Sequence, residues 1–444
     1  MDLERVLAPS EAAMAMAGGP VVAGWTIHGG LDIELLGAAV RELSHRMPVL
    51  AARIVEGPDG PVLRRDRADA TVGLELVPDA WAPQDAAFLR PGDQVLRVLL
   101  RREGPDRHGL ALLAWHAVSD GACLMALHRR LWGIYRGLAE GGAGTAASVP
   151  YGELPRPVEE RLRERYGASD VAAYAADWSA RLDAAQPAVL AARAARDGGP
   201  GPGQGAHRHR FTLSAGQTRS LVRHAHRSGA TVNSVVCALA MRAVRDLLPA
   251  EDGTAQLTCL IPVDVRSRLQ PPLPADEFAF AASTTSATAP VGPDTELGLV
   301  ASEIDRQVHA SLDAGHAELE YLATSRMLTR LASAAITLAV SNVSHHCTAP
   351  TLPEGLTAER PYVITIPPGP LPTLFVTRHR EAICLDLVQP RAWYTRGQAG
   401  ELADALRRAL CAVTGAPGAE DLSRGNPVRG VSAARQGPLP LLFM

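Results

Sequence analysis

The sequence contains no lysine, so all 44 basic residues of this 444-residue chain are arginines. A Schiff-base lysine, a pyridoxal phosphate anchor and a phosphate-binding loop that ends in Gly-Lys-Ser/Thr each require a lysine amine. The sequence therefore excludes these three kinds of site. The excess of Ala, Arg, Gly and Pro that accompanies the absence of lysine is most simply the mark of a GC-rich genome.

Cysteine is also scarce, and the six cysteines are scattered along the chain without a Cys-x-x-Cys pair. This spacing fits neither a disulfide framework nor a thiolate zinc site. We therefore expect the cysteines to be small buried side chains in a reducing compartment. They are Cys123, Cys237, Cys259, Cys347, Cys384 and Cys411.

The chain has neither a strong excess of charge nor a long hydrophobic run. Its formal net charge of −3 gives no field that would attract nucleic acid. The longest apolar run, at residues 331–340, is too short to span a bilayer, and residues 1–5 do not begin a signal peptide. We therefore predict a cytoplasmic protein with no nucleic-acid partner and no membrane span.

The length of the chain favours two domains, because a single core rarely grows beyond about 250–300 residues. A run of Gly, Pro and Gln at residues 198–205 cannot hold a helix or a central strand and is the clearest linker. We predict an N-terminal subdomain at residues 1–197, a linker at 198–206 and a C-terminal subdomain at 207–444. Strands and helices are interspersed in both halves, which predicts an α/β fold with mixed sheets.

Local patterns predict individual elements of these two subdomains. Short β-branched or leucine-rich runs between Gly, Pro and Asp predict strands at residues 71–77, 95–101, 109–115, 209–213, 256–263, 336–341, 362–366, 373–377 and 382–388. Apolar residues at helical spacing predict helices at residues 31–47, 121–138, 159–196, 215–227, 232–248 and 396–413. Asp32 is a plausible cap for the first of these helices.

The strongest chemical signal is His116-x-x-x-Asp120-Gly121, which lies between a predicted strand and a predicted helix. Histidine is the usual general base near neutral pH. We expect the aspartate to hold the local structure and the glycine to permit a tight turn. Strand-to-helix turns often carry reactive side chains, so His116 is the candidate base.

This segment resembles the His-His-x-x-x-Asp-Gly motif of nonribosomal-peptide condensation domains, of mycobacterial polyketide-associated acyltransferases and of the wider chloramphenicol-acetyltransferase-like superfamily. Trp115 stands where the family has its first histidine. The downstream Asp-Phe-Gly-Trp-Gly motif of the plant enzymes does not occur, which favours the bacterial branch. Further similar segments follow in the family's order and together cover most of the chain, at residues 30–32, 43–50, 231–234, 262–269 and 341–344.

The resemblance implies two similar subdomains that form a V with a central tunnel. His116 matches the family's catalytic histidine, and Asp120 would form a salt bridge with Arg266 that supports the catalytic loop at Gly121. Ser341 and Asn342 match the segment that crosses between the subdomains and lines the floor of the tunnel. The resemblance leaves the oxyanion donor open between backbone N–H groups beside Gly121 and a tunnel hydroxyl.

The same resemblance implies a stand-alone acyltransferase of natural-product or lipid metabolism. It would move an acyl group from acyl-CoA, or from the phosphopantetheine of an acyl carrier protein, to a hydroxyl or amine of a small molecule. No metal or redox cofactor is implied. Two alternatives remain: condensation or cyclisation of carrier-bound intermediates, and a condensation-like module that binds without catalysis.

Paired histidines occur three times, at residues 207 and 209, 224 and 226, and 345 and 346. No third ligand stands at a sensible spacing from any pair, so we predict no metal site. We interpret His345 and His346 as solvated loop residues, although they follow the segment at residues 341–344 and could touch substrate. The arginines at positions 64, 65, 67, 101 and 102 are most simply a solvated face, although an acidic carrier protein or the phosphates of coenzyme A could also bind them.

Overall fold

The computed structural model describes residues 3–17, 19–65, 70–141, 154–193, 205–249, 253–332 and 336–415. Within these ranges, no helix is long and apolar enough to cross a membrane. The predicted linker lies outside the described residues except at positions 205 and 206. The predicted division of the chain at 198–206 therefore stays a prediction.

Strands and helices are interspersed along both halves of the described chain. Its strands are β1 (Leu3–Val6), β2 (Pro20–His28), β3 (Arg53–Gly57), β4 (Gly60–Arg65), β5 (Leu74–Val77), β6 (Leu96–Gly104), β7 (Arg107–Trp115), β8 (Ala206–Leu213), β9 (Ala255–Asp264), β10 (Ala282–Val291), β11 (Leu338–Asn342), β12 (Thr357–Thr365), β13 (Thr373–His379) and β14 (Ala382–Pro390). Its helices are α1 (Pro9–Ala17), α2 (Ile33–Arg46), α3 (Gly121–Ala139), α4 (Val158–Arg163), α5 (Ala168–Ala185), α6 (Ala215–Arg227), α7 (Val232–Arg245), α8 (Leu297–Asp313), α9 (His316–Leu322), α10 (Thr324–Ala332) and α11 (Arg396–Thr414).

Two of the three sheets form the framework, and both are mixed. The first has five strands in the order β12-β2-β7-β6-β5, with β5 parallel to β6 and the other pairs antiparallel. The second has six strands in the order β10-β9-β11-β13-β14-β8, with β11 parallel to both of its neighbours. The α/β fold with mixed sheets is therefore confirmed.

One strand of the first sheet comes from the second half of the chain. Strand β12 lies antiparallel to β2, from Thr357 opposite His28 to Thr365 opposite Val21. It forms an edge of the sheet whose central strand β7 leads into the His116 segment. The two halves of the sequence are therefore interleaved beside the candidate site.

Buried side chains of the described ranges form three clusters. The first packs on the sheet that contains β7, and the second fills the space between the six-stranded sheet and helices α6, α7, α8 and α11. The third joins α4 and α5 of the first half to α9 and to the residues that follow β9. Phe280 and Tyr321 belong to this third cluster, which places a buried connection between the two halves next to the candidate site.

The helical region predicted at residues 159–196 is confirmed only in part, because the structure has two shorter helices there and residues 186–193 are not helical. Helix α5 begins after Gly167, whose N–H donates to the Asp170 carboxylate at 2.8 Å. It ends at Gln186, which adopts a left-handed conformation with φ 44° directly before Pro187. The alanine-rich segment has helical periodicity throughout, but the new helix start at Gly167 divides it and the proline after Gln186 shortens it.

All six cysteines are free, as expected. Five of them are buried, and Cys411 is half-buried.

Glu320 is a buried carboxyl group with no arginine bonded to it among the described residues, and it makes the stability of the fold dependent on pH. Its side chain accepts hydrogen bonds from the hydroxyls of Tyr174, at 2.6 Å, and Thr284. Burial raises the pKa of Glu320 to about 7, although both hydrogen bonds and the charge of Arg181 act in the opposite direction. The folded protein therefore binds this proton more tightly than the unfolded chain does.

We expect the free energy of unfolding to fall by on the order of 3 kcal/mol as the pH rises from about 4.5 to about 7 and ionises Glu320. Glu320→Gln should remove most of this slope in urea-unfolding measurements between pH 5 and pH 8. Glu381→Gln changes an exposed glutamate that pairs with Arg219 at the surface and serves as the control. An unchanged slope in Glu320→Gln would contradict the assignment.

Candidate active site

His116 lies directly after β7, on the turn that leads into α3. Its Nδ1 is 2.9 Å from the carbonyl oxygen of Ser119, and the Ser119 hydroxyl donates to the carbonyl of Trp115 at 2.8 Å. Because a carbonyl oxygen can only accept, Nδ1 carries the proton and Nε2 has a free lone pair. The turn thus fixes both the ring orientation and the tautomer that a general base needs.

The imidazole of His116 is half-buried and largely surrounded by protein. Phe280 meets its ring edge to face, with 5.4 Å between the ring centroids. Burial lowers the pKa of His116, and the Ser119 carbonyl and the charge of Asp120 offset this only in part. The ring is therefore neutral at pH 7, which keeps Nε2 available to accept a proton.

Asp120 caps α3 and is held by four hydrogen bonds. Its Oδ1 accepts from the backbone N–H of Cys123 at 2.9 Å and from Arg266 at 3.1 Å. Its Oδ2 accepts from Arg266 at 2.8 Å and from the backbone N–H of Ala281 at 2.9 Å. The carboxylate is therefore committed to the structure around the turn, and none of these bonds joins it to the His116 ring.

Arg266 lies on the 3-10 helix Arg266–Arg268 just after β9 and forms the ion pair with Asp120. Both side chains are 4% exposed. The guanidinium also donates to the carbonyl of Ala279 at 3.0 Å and to Asp264 at 3.3 Å. One arginine therefore ties the candidate catalytic turn of the first half to two segments of the second.

Gly121 is required for a different reason from the one expected. It is the first residue of α3 and does not have a positive φ. A Cβ atom at this position would lie 2.6 Å from Cγ1 of Val363 on β12. The glycine therefore permits close packing of the helix against the strand from the second half, and it does not supply a special turn conformation.

We expect Gly121→Ala to lower the free energy of unfolding by about 1–3 kcal/mol, because the added methyl group overpacks the contact with Val363. Gly133 lies on the same helix and has open space around it. Gly133→Ala should therefore be neutral or stabilise by up to about 1 kcal/mol. Denaturant unfolding of both variants tests the contact, and equal stability of the two would contradict it.

Ser341 and Asn342 lie at the end of β11, beside β13. The Asn342 carboxamide oxygen accepts from the backbone N–H of Ser344 at 3.0 Å. Val343 follows, 3.5 Å from the position a Cβ would take at Gly121, so this segment reaches the start of α3. No hydrogen bond of the described residues joins Ser341 or Asn342 to His116, and the predicted roles of these two residues stay predictions.

Sequence reasoning missed a cluster formed by Asp264, His345 and His346. The sequence spacing offered no third ligand for the pair His345 and His346, but the structure places Asp264 beside them. Asp264 lies at the end of β9, 81 residues before His345 in the sequence. Its Oδ2 is 3.3 Å from Nε2 of His346. Spacing along the sequence could not reveal this contact because the parallel pairing of β11 with β9 creates it.

Two of the other residues singled out from the sequence have structural contacts of their own. Trp115 is 1% exposed and packs in the first cluster, where an apolar side chain is appropriate. Arg101 donates to the carbonyl of Trp81 at 2.9 Å and also pairs with Glu103, so it is not simply a solvated side chain. Arg67 lies outside the described residues.

Comparison with known proteins places this geometry in a known fold. Residues 202–382 match the family "Phthiocerol/phthiodiolone dimycocerosyl transferase C-terminus". The structure of polyketide synthase associated protein 5 from Mycobacterium tuberculosis is similar with a TM-score of 0.72 and 22% identity, over 92% of this chain and 98% of that one. The chain has the chloramphenicol-acetyltransferase-like fold. The superfamily predicted from the sequence is thereby confirmed.

Two further similarities extend this superfamily assignment. A phthiocerol/phthiodiolone dimycocerosyl transferase of Mycobacterium ulcerans (strain Agy99) is 25% identical over 305 residues, which are 68% of this chain and 71% of the relative. The first condensation domain of the calcium-dependent antibiotic synthetase, in complex with a substrate analogue, is similar with a TM-score of 0.71 and 18% identity over 95% of this chain and 98% of that chain. Transferases and condensation domains of this superfamily are thus both similar to the chain.

Proposed function

We propose that this protein is an acyltransferase that moves an acyl group from a thioester to a hydroxyl or amine of a small molecule, with His116 as the general base. The observation that carries the proposal is the orientation of the His116 ring. Nδ1 donates to the Ser119 carbonyl, so Nε2 presents its lone pair in a largely desolvated position. A neutral histidine held in this way can take a proton from an attacking group.

In the proposed reaction, Nε2 of His116 removes the proton from the acceptor as its oxygen or nitrogen attacks the thioester carbonyl carbon. The tetrahedral intermediate collapses, the carbon–sulfur bond breaks, and the imidazolium returns the proton to the departing thiolate. The Ser119 carbonyl stabilises the Nδ1 proton throughout. Backbone N–H groups of the first turn of α3, at Gly121 and Ala122, have no partner within the helix and are suitable donors to the oxyanion.

The donor in this proposal is acyl-CoA or the acyl phosphopantetheine of a carrier protein, and the reaction needs no metal or redox cofactor. The two substrates would reach His116 through a tunnel between the two subdomains, with Ser341 and Asn342 at its floor. The similarity to a dimycocerosyl transferase supports transfer of an acyl group. An acyl carrier protein is therefore a candidate partner.

Condensation or cyclisation of carrier-bound intermediates is the second candidate, because the fold is equally similar to that of a condensation domain. A module that only binds a partner is a weaker candidate. A docking surface has no need of a histidine held in one tautomer, or of a carboxylate that accepts four hydrogen bonds beneath it.

Thiol release from a panel of acyl-CoA donors, with and without small alcohols and amines, tests the proposal. We expect release that depends on the acceptor, together with an ester or amide product identified by mass spectrometry. No release from CoA donors, but release from an acyl carrier protein, would assign a carrier-bound donor. Failure with both kinds of donor would contradict acyl transfer.

A further inference from the structure

The cluster of Asp264, His345 and His346 has the composition of a metal site. One carboxylate oxygen and one nitrogen from each histidine lie within 4.8 Å of one another. Two imidazoles and a carboxylate are a common ligand set for zinc and related divalent transition metals. We propose that these three residues bind a divalent transition metal ion such as Zn²⁺.

The distances within the cluster suit tetrahedral coordination. Two ligands that each lie about 2.0–2.1 Å from a tetrahedral zinc ion are about 3.3 Å apart. Oδ2 of Asp264 and Nε2 of His346 are separated by 3.3 Å. His345 is exposed and can rotate to bring its nitrogen to the same centre, while its ring already packs against His346 with 3.7 Å between the centroids.

The surroundings direct one oxygen of Asp264 toward the histidines, where a cation would replace the proton shared with His346. Oδ1 of Asp264 accepts from the backbone N–H and the guanidinium of Arg266, whereas Oδ2 faces His346. A ligating carboxylate commonly has its second oxygen bound by such an outer donor. The guanidinium of Arg266 makes two hydrogen bonds to Asp120 and forms its closest ion pair there. The charge of Asp264 is therefore only partly balanced, and its carboxylate can act as a negative ligand.

The protein also holds the histidines in place. Arg129 on α3 donates to the carbonyl of His346 at 3.1 Å and fixes the 3-10 helix Ser344–His346 against α3. This contact holds the backbone of the histidine pair within reach of Asp264.

The site would keep an open coordination position, because the described residues supply three ligands and a tetrahedral ion takes four. It is linked to the catalytic turn through one side chain, Arg266, which contacts both Asp264 and Asp120. The proposal does not depend on the acyltransferase activity, and its test measures binding alone.

Zinc titration of the full-length protein, made without a histidine tag and dialysed against a chelator, tests the site. In competition with a chromophoric chelator we expect one equivalent of zinc, and His345→Ala should weaken its binding by at least about 100-fold, since even the loss of an outer partner costs about 10–100-fold. His345 is exposed, so its removal should leave the melting temperature unchanged. Asp264→Asn should weaken binding in the same way.

His309→Ala is the matched control, because His309 also lies close to a carboxylate, 3.1 Å from Asp305, but belongs to no group of three ligands in the described residues. This variant should bind zinc like the native protein. Cobalt added in place of zinc should give the visible absorption of a tetrahedral ion in the native protein and not in His345→Ala. Absence of binding by the native protein, or equal binding by native protein and His345→Ala, would overturn the proposal.

Discussion

Replacement of His116 by alanine is expected to lower kcat for acyl transfer by about 10²–10⁴-fold, which is the usual contribution of a positioned general base. The change removes the Nε2 lone pair and leaves the carbonyl of Ser119 and the cap at Asp120 in place. Steady-state thiol release gives kcat and KM separately. We expect the loss in kcat, because the base acts in the transition state and not in substrate binding.

The pH profile provides a second signature of the same residue. Burial lowers the pKa of His116 below its ordinary value of 6.5. The neutral, active form therefore persists as the pH falls through 6.5, and kcat/KM should decline only at a lower pH. A decline centred at or above the ordinary pKa would contradict a desolvated base.

His226→Ala is the control for this experiment, because His226 is exposed on α6 and has no place in the candidate site. Its rate should equal that of the native protein. Thiol release that depends on the acceptor and survives in His116→Ala would remove His116 from its proposed role.

Features that depend on neighbouring residues were predictable from the sequence. The cap of α2 is an example: Asp32 accepts from the N–H of Leu35 at 2.9 Å, and the helix ends at Arg46, one residue before the predicted end. The candidate catalytic turn is another, because the hydrogen bonds of His116 with Ser119 and of Ser119 with Trp115 join residues at most four apart in the sequence. Contacts between residues a few positions apart can be predicted because the local sequence already contains both partners.

Strand β10 was missed because its side chains do not have the usual character of a strand. It contains Ala, Ser and Thr almost throughout, yet alternate positions are buried, including Ser283 and Thr285. The alternation of buried and more exposed positions cannot be recognised from the sequence unless small polar residues are counted as core residues. Those side chains donate to partners that lie far away in the sequence, such as the Ser311 hydroxyl and the Ala317 carbonyl.

Contacts between distant segments could not be predicted by local reasoning. The close approach of Val363 is the reason for a glycine at position 121, and Asp264 lies beside His345 and His346. Each contact exists only because a strand occupies a particular place in a sheet. Periodicity indicates that residues 362–366 form a strand and does not specify a neighbour. The resemblance to a known family could name the Asp120–Arg266 pair only because the family had already paired those positions.

The second large effect is expected for Asp120→Ala, which should lower the free energy of unfolding by about 3–5 kcal/mol. The substitution leaves the guanidinium of Arg266 at 4% exposure with Asp264 as its one charged partner among the described residues, and it leaves the N–H groups of Cys123 and Ala281 without the carboxylate that accepts from them. Removing one member of a buried ion pair is costly because the other charge stays desolvated.

Asp32→Ala is the matched control for this loss, because Asp32 also caps a helix but accepts only one backbone hydrogen bond and pairs with no arginine in the described chain. It should cost about 0.5–2 kcal/mol, the ordinary value of a cap, so the difference between the two variants measures the ion pair. The double variant Asp120→Ala, Arg266→Met should be more stable than Asp120→Ala alone, because it removes the buried guanidinium together with its partner, while the Asp264 side chain is 24% exposed and still lies beside His346. Activity should fall in Asp120→Ala as the turn loosens around His116; an unchanged melting temperature with full activity would show that the pair does not support the turn.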